Sequence, residues 1–447
     1  MKLSLLRPVS FAGAMAIAIL SNCLEAAVVD VPLPEAEMPA LAALVETALA
    51  RSPRVMSRDL ELAGAQYQEM VSSARLYPQV GGSIVYQVRD ESRSAGLDPG
   101  LYDRTNYSVT ASQSLWHWGN IRAAARIGEL STKIAERNIE ATRRAVALEV
   151  RSAYLALIVQ KMGVRNARLS EQRIQEALVV QEARYKAKEI TSSVLSAARF
   201  RAEESSLAVE RAAFDFELSI RAFRRLAGVE SFSEADIPDA LVAPKREPGT
   251  YRSETSAAYL KSEALMVNEL QIEQGKLNLK IDRKALWPKL NAIVGATQDD
   301  NLYSTTLGDR ITTTSVFAGL QVQWTIFDGF SSKGRRLNSV NRLRQLEDSR
   351  SDLIDSLKNS ADQQAANVGF SWRAYNLSRQ RHQGAASRLA YEKENLARGL
   401  SSEEQITDAE AALNQAELVA NDALAKFYSA AARYASTMHA DPLLDGR

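Results

Sequence analysis

The run Thr314-Ser315-Val316-Phe317-Ala318-Gly319-Leu320-Gln321-Val322-Gln323-Trp324-Thr325-Ile326-Phe327-Asp328-Gly329 decides how the rest of the chain is read. In an extended chain Val316, Ala318, Leu320, Val322, Trp324 and Ile326 fall on one side, while Gly319, Gln321, Gln323 and Thr325 fall on the other. One apolar face and one polar face are the pattern of a membrane strand, lipid outside and water inside. A strand in a soluble sandwich alternates in the same way. The surrounding sequence has to separate the two.

That surrounding sequence is duplicated. Leu76-Tyr77-Pro78 opens a first block that closes on Gln113-Ser114-Leu115-Trp116-His117-Trp118-Gly119, and Leu286-Trp287-Pro288 opens the block that closes on Gly329. Proline, glutamine and glycine share one offset: 288 − 78, 323 − 113 and 329 − 119 all equal 210. Proline disfavours a helix in the residue before it, so a helix stops at each aromatic-Pro pair. The closing glycines mark the return to helix. In the first block Ile84, Tyr86 and Val88 alternate in one strand and Tyr107, Val109 and Ala111 in the next, joined by a polar turn from Asp90 to Arg104 with Gly96, Pro99 and Gly100. Each block is a strand pair carried between helices.

From Gly119 to about Lys186 there is no proline and only Gly128 and Gly163 interrupt; Val146, Val150, Ala153 and Leu157 recur at helical steps. Gly329 to about Arg398 repeats the pattern, again without proline. At 1.5 Å per residue, roughly 68 residues make a rod of about 100 Å, far beyond the helices of globular domains. Each rod meets a turn, Ala187–Thr191 and then Gly399–Ser402, and a shorter helix returns to about Ala227 and Thr437. The last helix carries Ala409, Ala411, Ala412, Ala416, Ala420 and Ala423, which lets helices approach closely. Two coiled hairpins therefore project away from the strands.

Four strands cannot close a barrel, and an open edge is not tolerated in lipid. Copies of the chain must combine, and three would supply twelve strands. The expected fold class is mainly α with a membrane β-barrel, built from two tandem repeats.

At the N-terminus Lys2 and Arg7 precede an apolar run from Val9 to Leu20, too short to span a bilayer as a helix. This is a secretory signal peptide, residues 1–26. Cleavage after Ala26 leaves a mature chain without cysteine. Alternatively, Leu20-Ser21-Asn22-Cys23 is a lipobox with Cys23 lipidated, although Asn22 sits where a small residue is expected. The remaining division is a lead at 27–38, repeat 1 at 39–227 (strands about 78–117, tip about 187–191), a Pro-containing connector at 228–251, repeat 2 at 252–437 (strands about 288–327, tip about 399–402) and a tail at 438–447. Pro53 kinks or restarts the first helix, and the connector is expected around the middle of the rods.

A formal net charge of +1 with 24% charged residues excludes a polybasic nucleic-acid binder and a low-hydrophobicity disordered chain. There is no phosphate loop, cysteine pair or nucleophile-base arrangement. His117, His382 and His439 have no ligand spacing. No enzyme, cofactor or metal is expected.

These residues resemble the TolC family of outer-membrane efflux proteins over nearly all of the mature chain. The resemblance rests on the duplicated Leu-aromatic-Pro and Gln…Gly blocks, Ile326-Phe327-Asp328-Gly329, the turn Ala397-Arg398-Gly399-Leu400-Ser401 and the similarly placed Ala187-Lys188-Glu189-Ile190-Thr191. It implies a homotrimer whose twelve-stranded barrel in outer-membrane lipid continues into a periplasmic α-helical barrel. It also implies service as the exit duct of a tripartite efflux pump or type I secretion system, with a periplasmic adaptor (membrane fusion) protein and an inner-membrane pump of RND, ABC or MFS type as partners.

By the same resemblance the tips contact the adaptor: Gly399, Leu400 and Ser401 match the glycine-centred turn, while Ala187 and Lys188 stand where glycine is common. Gly399 as a plain turn glycine is the competing reading. Glu403, Glu404 and Asp408 stand where acidic rings narrow the pore, and threefold symmetry would gather them; ordinary acidic enrichment at a helix N-terminus also accounts for them. Trp116, Trp118, Trp324 and Phe327 fit an interfacial aromatic belt. Two other functions are consistent with parts of the pattern: a periplasmic structural coiled coil without a pore, and a stand-alone porin, which would not need the rods.

Overall fold

Proline opens the first two helices, where its missing N–H has no partner to lose. Pro39 starts α1 (Pro39–Arg51) and Pro53 starts α2 (Pro53–Ser73), with Ser52 extended between them at ψ 130°. The computed structural model describes residues 32–91, 100–245, 247, 257–302 and 310–445. The signal peptide, both processing readings with Cys23, the turn residues Gly96 and Pro99, and part of the connector lie outside the described residues.

Four antiparallel strands follow the order β1 (Gln79–Glu91), β2 (Gly100–Trp116), β3 (Lys289–Leu302) and β4 (Arg310–Gln323). The β2–β3 pairing joins the two blocks, and β1 and β4 are the edges of this sheet. Cross-strand register aligns Ile84, Tyr107, Gln298 and Thr314 in one row and Val80, Ala111, Val294 and Ala318 in another, all on one face. That face is apolar and bare: Val316 is 79% exposed and Ile84 72%. The opposite face carries rows such as Ser83, Ser108, Thr297 and Ser315. Bare valines and isoleucines on one side and hydroxyls on the other are what lipid and water demand of a membrane strand. β2 holds one bulge, between Ser114 and Trp116, which leaves Trp116 opposite Leu290 on the apolar face.

The helices that feed and leave the strands form a wall beneath them. α3 (Asn120–Lys186) and α6 (Ser331–Ala397) each run for 67 residues, about 100 Å at helical rise. Near the sheet the neighbours in the wall are α2, α3, α5 (Glu263–Arg283) and α6. Farther down, α4 (Ser192–Ala227) takes the place of α2 against α3, and α7 (Glu403–Thr437) takes the place of α5 between α3 and α6. The wall is therefore four helices wide at both levels. Where α4 ends under α1, Gly228 holds φ +67°, and a Cβ there would lie 2.9 Å from the Arg51 Cβ and 3.1 Å from its carbonyl oxygen.

The helices stop short of the aromatic-Pro pairs. α2 ends at Ser73 and tightens into one 3-10 turn over Ala74–Leu76; α5 ends at Arg283, and Trp287 N–H bonds the Lys284 carbonyl. β4 likewise ends at Gln323, before Trp324 and Ile326.

The single offset of 210 needs correction. It holds for β1 and β3, but Tyr107 and Ala318 occupy matching register positions, and 318 − 107 is 211. The same 211 relates the starts of the long helices (331 − 120) and of the returning ones (403 − 192). The second block holds one more residue between its strands, so the equal spacing of Gln113 with Gln323 and of Gly119 with Gly329 is not a structural match. Left-handed residues confirm this: the pair Trp118 and Gly119 (φ 56° and 81°) corresponds to Gly329 and Phe330 (63° and 66°).

Around mid-wall the described connector and terminal residues pack as a collar on one side of the wall. Residues 32–38, 229–245, 257–262 and 438–445 supply it, the last with the short helix α8 (Pro442–Asp445). Arg151 of α3 is wholly buried and donates to both Asp441 oxygens (2.5 and 3.0 Å) and to Glu35. Seven residues earlier, Arg144 pairs with Glu263 at 2.8 Å and with Asp445. Burial opposes the charge on Arg151, but the hydrogen bond to Asp441 and the charges of Glu35 and Asp441 more than offset it, and its pKa is raised. Both ends of the described chain are thereby tied to α3.

Candidate functional site

The two tips have one geometry despite different residues. At the second, Gly399 takes φ 73°, its N–H bonds the Leu396 carbonyl at 2.9 Å, and Leu400 N–H bonds Asn395 at 2.8 Å. At the first, Lys188 takes φ 64°, its N–H bonds Tyr185 at 2.9 Å, and Glu189 N–H bonds Arg184 at 2.9 Å. Both are the paired 6→1 and 5→2 helix ending that places its left-handed residue just past the cap. Ala187 stays right-handed as the cap of α3, so Lys188 is the counterpart of Gly399. Ala187, Lys188, Gly399 and Leu400 are exposed, Leu400 at 75%. Ser401 is half-buried, its hydroxyl donating to Glu392 at 2.7 Å. Ser402 and Gln405 then form a reciprocal capping box that starts α7; the first tip has none.

The collar defines two faces of the wall. On its side Asn421 accepts from Leu241 N–H (2.9 Å), Tyr428 donates to the Val242 carbonyl (2.7 Å) and Lys161 donates to Ile237 (2.6 Å). Asp408, Gln415, Asp422 and Ser429 step by seven along α7, and Asp422 and Ser429 open onto the other, collar-free face. Glu404 neighbours that stripe. Glu403 steps by seven to Glu410 and Glu417, which reach Arg173 (3.0 Å) and Arg165 (3.2 Å) of α3, so it follows the seam between the hairpins. All three predicted constriction residues are exposed at the start of α7, and only Glu404 and Asp408 lie along the collar-free side.

The junction aromatics form two clusters. Trp116 meets Trp118 edge-on at 5.8 Å, and Trp118 meets Trp287 at 4.6 Å while donating from Nε1 to the Pro288 carbonyl at 2.7 Å. Trp324 donates to Leu286 at 3.0 Å, and Phe327 stacks edge-on with Phe330 at 5.4 Å. Trp287 and Phe330 were not assigned to the belt from the sequence. Trp287 stood in the quoted Leu-Trp-Pro motif but served there only as a helix stop. His117 bonds Asn291 at 2.8 Å, a packing role.

Among the described residues no cluster of His, Cys, Asp or Glu could hold a metal ion, and no helix is long and apolar enough to cross a membrane. The arrangement defines a class by itself: a wall segment with a lipid-compatible sheet at one end, two helical tips at the other, and one face left free of packing.

Comparison with known proteins agrees. The family model for outer membrane efflux proteins matches residues 44–228. No curated protein sequence matches the chain. Among solved structures, the Campylobacter jejuni CmeC outer membrane channel is 14% identical at a TM-score of 0.71, over 90% of this chain and 86% of that one. The Vibrio cholerae outer membrane protein VceC is 16% identical at 0.66, over 89% and 95%. The open state of the Neisseria gonorrhoeae MtrE outer membrane channel is 17% identical at 0.66, over 90% and 89%. Residues 44–228 thus match the outer membrane efflux protein family in sequence, and nearly the whole chain shares the fold of these outer membrane channels.

Proposed function

We propose that three copies of this chain form the outer-membrane exit duct of a tripartite efflux pump or type I secretion system. One observation carries the reading: a four-stranded sheet with a bare apolar face and two unpaired edges runs directly into helices of 67 residues. The edges call for β4 of one copy to pair with β1 of the next until twelve strands close. The collar cannot fill a pore, so the collar-free face lines the lumen, with Asp408 and Glu404 as its acidic residues nearest the tips. Ala187, Lys188, Gly399, Leu400 and Ser401 meet a periplasmic adaptor, and an inner-membrane pump of RND, ABC or MFS type supplies the energy. Trp116, Trp118, Trp324 and Phe327 sit at the membrane interface.

The test is the native mass of protein extracted in mild detergent from separated outer membranes. A trimer is expected. A periplasmic monomer or dimer would overturn the shared barrel and favour a structural coiled coil.

A further inference from the structure

At mid-wall the collar-free face is not flat. α7 is recessed between α3 and α6, leaving a groove of about 760 Å³, within the size range of small-molecule sites. The recess follows from sequence: α7 presents Ala425, Ser429 and Ala430 there, while Leu155 and Val159 of α3 and Phe370 of α6 form the sides. Phe370 is 59% exposed, an aromatic ring left bare to water within the wall.

The charges at the rim are unequal. Lys426 is held by Asp422 at 2.6 Å, which neutralises both. Arg433 opens onto the same groove, and among the described residues no carboxylate pairs with it. A second guanidinium, Arg373, stacks over Phe370 at 5.0 Å. The groove thus offers an apolar lining with the unpaired Arg433 at its end, a second guanidinium, Arg373, stacked on its Phe370 side, and, among the described residues, no unpaired anion.

We propose that this groove binds anionic amphiphiles, with a carboxylate or sulfate on Arg433 and an apolar body along Phe370, Ala156, Val159 and Ala430. Guanidinium is suited to the head because its planar donors grip an oxyanion in two places. An apolar body removes the exposed Phe370 ring from water. Three such grooves at one level, on the face assigned to the lumen, make a way station for membrane-active anions leaving the cell. The assignment rests on the duct reading, because only there does the groove face the passage.

The test uses the full protein in lipid nanodiscs and two photoreactive probes, a diazirine-bearing hexadecanoic acid and its trimethylammonium counterpart, with labelled peptides located by mass spectrometry. The carboxylate probe is expected to label 152–160, 364–374 and 422–433 in preference to the cationic probe. Arg433→Gln should lower that preference about tenfold, as loss of one hydrogen bond to a charged group does. Arg433→Lys, which keeps the charge but not the two-point grip, should retain only part of it, and Ala156→Phe, which fills the groove from its α3 side, should reduce labelling by both probes. Equal labelling by the two probes, or labelling confined to the lipid-facing strands, overturns the groove. Native mass is read on the same samples: a trimer without groove labelling overturns this site alone, and a monomer overturns the duct.

Discussion

Gly399 separates two readings of the second tip, and the geometry says how. Its φ of 73° is closed to proline, whose ring fixes φ near −65°, and its N–H is committed to Leu396 at 2.9 Å. Gly399→Pro therefore loses that hydrogen bond and the backbone conformation together, about 3 kcal/mol or more, enough to unwind the turn. The damage stays local, because the strands through which the copies are proposed to join lie about 100 Å away. Gly399→Asn is the informative partner. A Cβ at this position meets nothing within 4 Å, and asparagine tolerates the left-handed region, so the turn survives at a cost of about 1 kcal/mol. Lys188 already shows that a side chain can occupy the corresponding place at the first tip.

The assay is efflux of a reporter dye from cells whose only exit duct is this protein, with native mass measured alongside. Gly399→Pro is expected to abolish efflux and keep the trimer. If Gly399→Asn also abolishes it, the bare glycine surface is read by a partner; if Gly399→Asn exports normally, glycine serves only the turn. Normal efflux by Gly399→Pro would refute the role of the tip altogether.

Other consequences follow from the collar and the wall. Arg151→Ala leaves Asp441 buried and unpaired, and should destabilise by about 3–5 kcal/mol, read as a lowered urea midpoint, with Arg151→Met plus Asp441→Leu recovering much of the loss. Gly228→Ala forces a Cβ against Arg51 at φ +67° and should cost about 2–5 kcal/mol, left-handed strain plus overpacking; an unchanged midpoint would contradict the contact between α4 and α1. The collar should also loosen in acid. His439 is pushed below its ordinary 6.5 by burial and then by Arg144, with Lys261 adding to the effect and Glu263 and Asp445 opposing it. Burial raises the Asp445 carboxyl, but Arg144 and the Asp441 N–H outweigh it and hold it below 3.8. Both are depressed pKa values, so each contribution is complete above the unfolded value and is lost as pH falls through the folded one. Hydrogen exchange of 438–445 should quicken as pH drops from 6.5, after correction for intrinsic rates, and again below 3.8; His439→Asn should remove the first step.

Much of this architecture was legible because its signals are long. Two proline-free runs and one alternating strand need no fine detail to be read. The groove, by contrast, depends on how far Ala425 and Ala430 let α7 sink between α3 and α6, a matter of packing that no period reveals. The collar pairs Arg151 with Asp441 across 290 positions of chain, and nothing local marks either residue.

The one-residue insertion is different, because the sequence held the means to detect it. Proline, glutamine and glycine agreed on 210, three coincidences in favour of one offset. Side-chain alternation disagreed. Adding 210 to Tyr107, Val109 and Ala111 gives Phe317, Gly319 and Gln321, the polar side of β4; adding 211 gives Ala318, Leu320 and Val322, the lipid side. A slip of one residue turns every side chain of a strand to the other face, so a buried or lipid-facing strand constrains register far more tightly than matched turn residues do. Identities at loop and junction positions are free to drift, as the exchange of Trp118-Gly119 for Gly329-Phe330 shows: the left-handed pair is kept while its glycine changes place. Where motif spacing and face periodicity conflict in a duplicated membrane strand, periodicity carries the larger free energy and should decide.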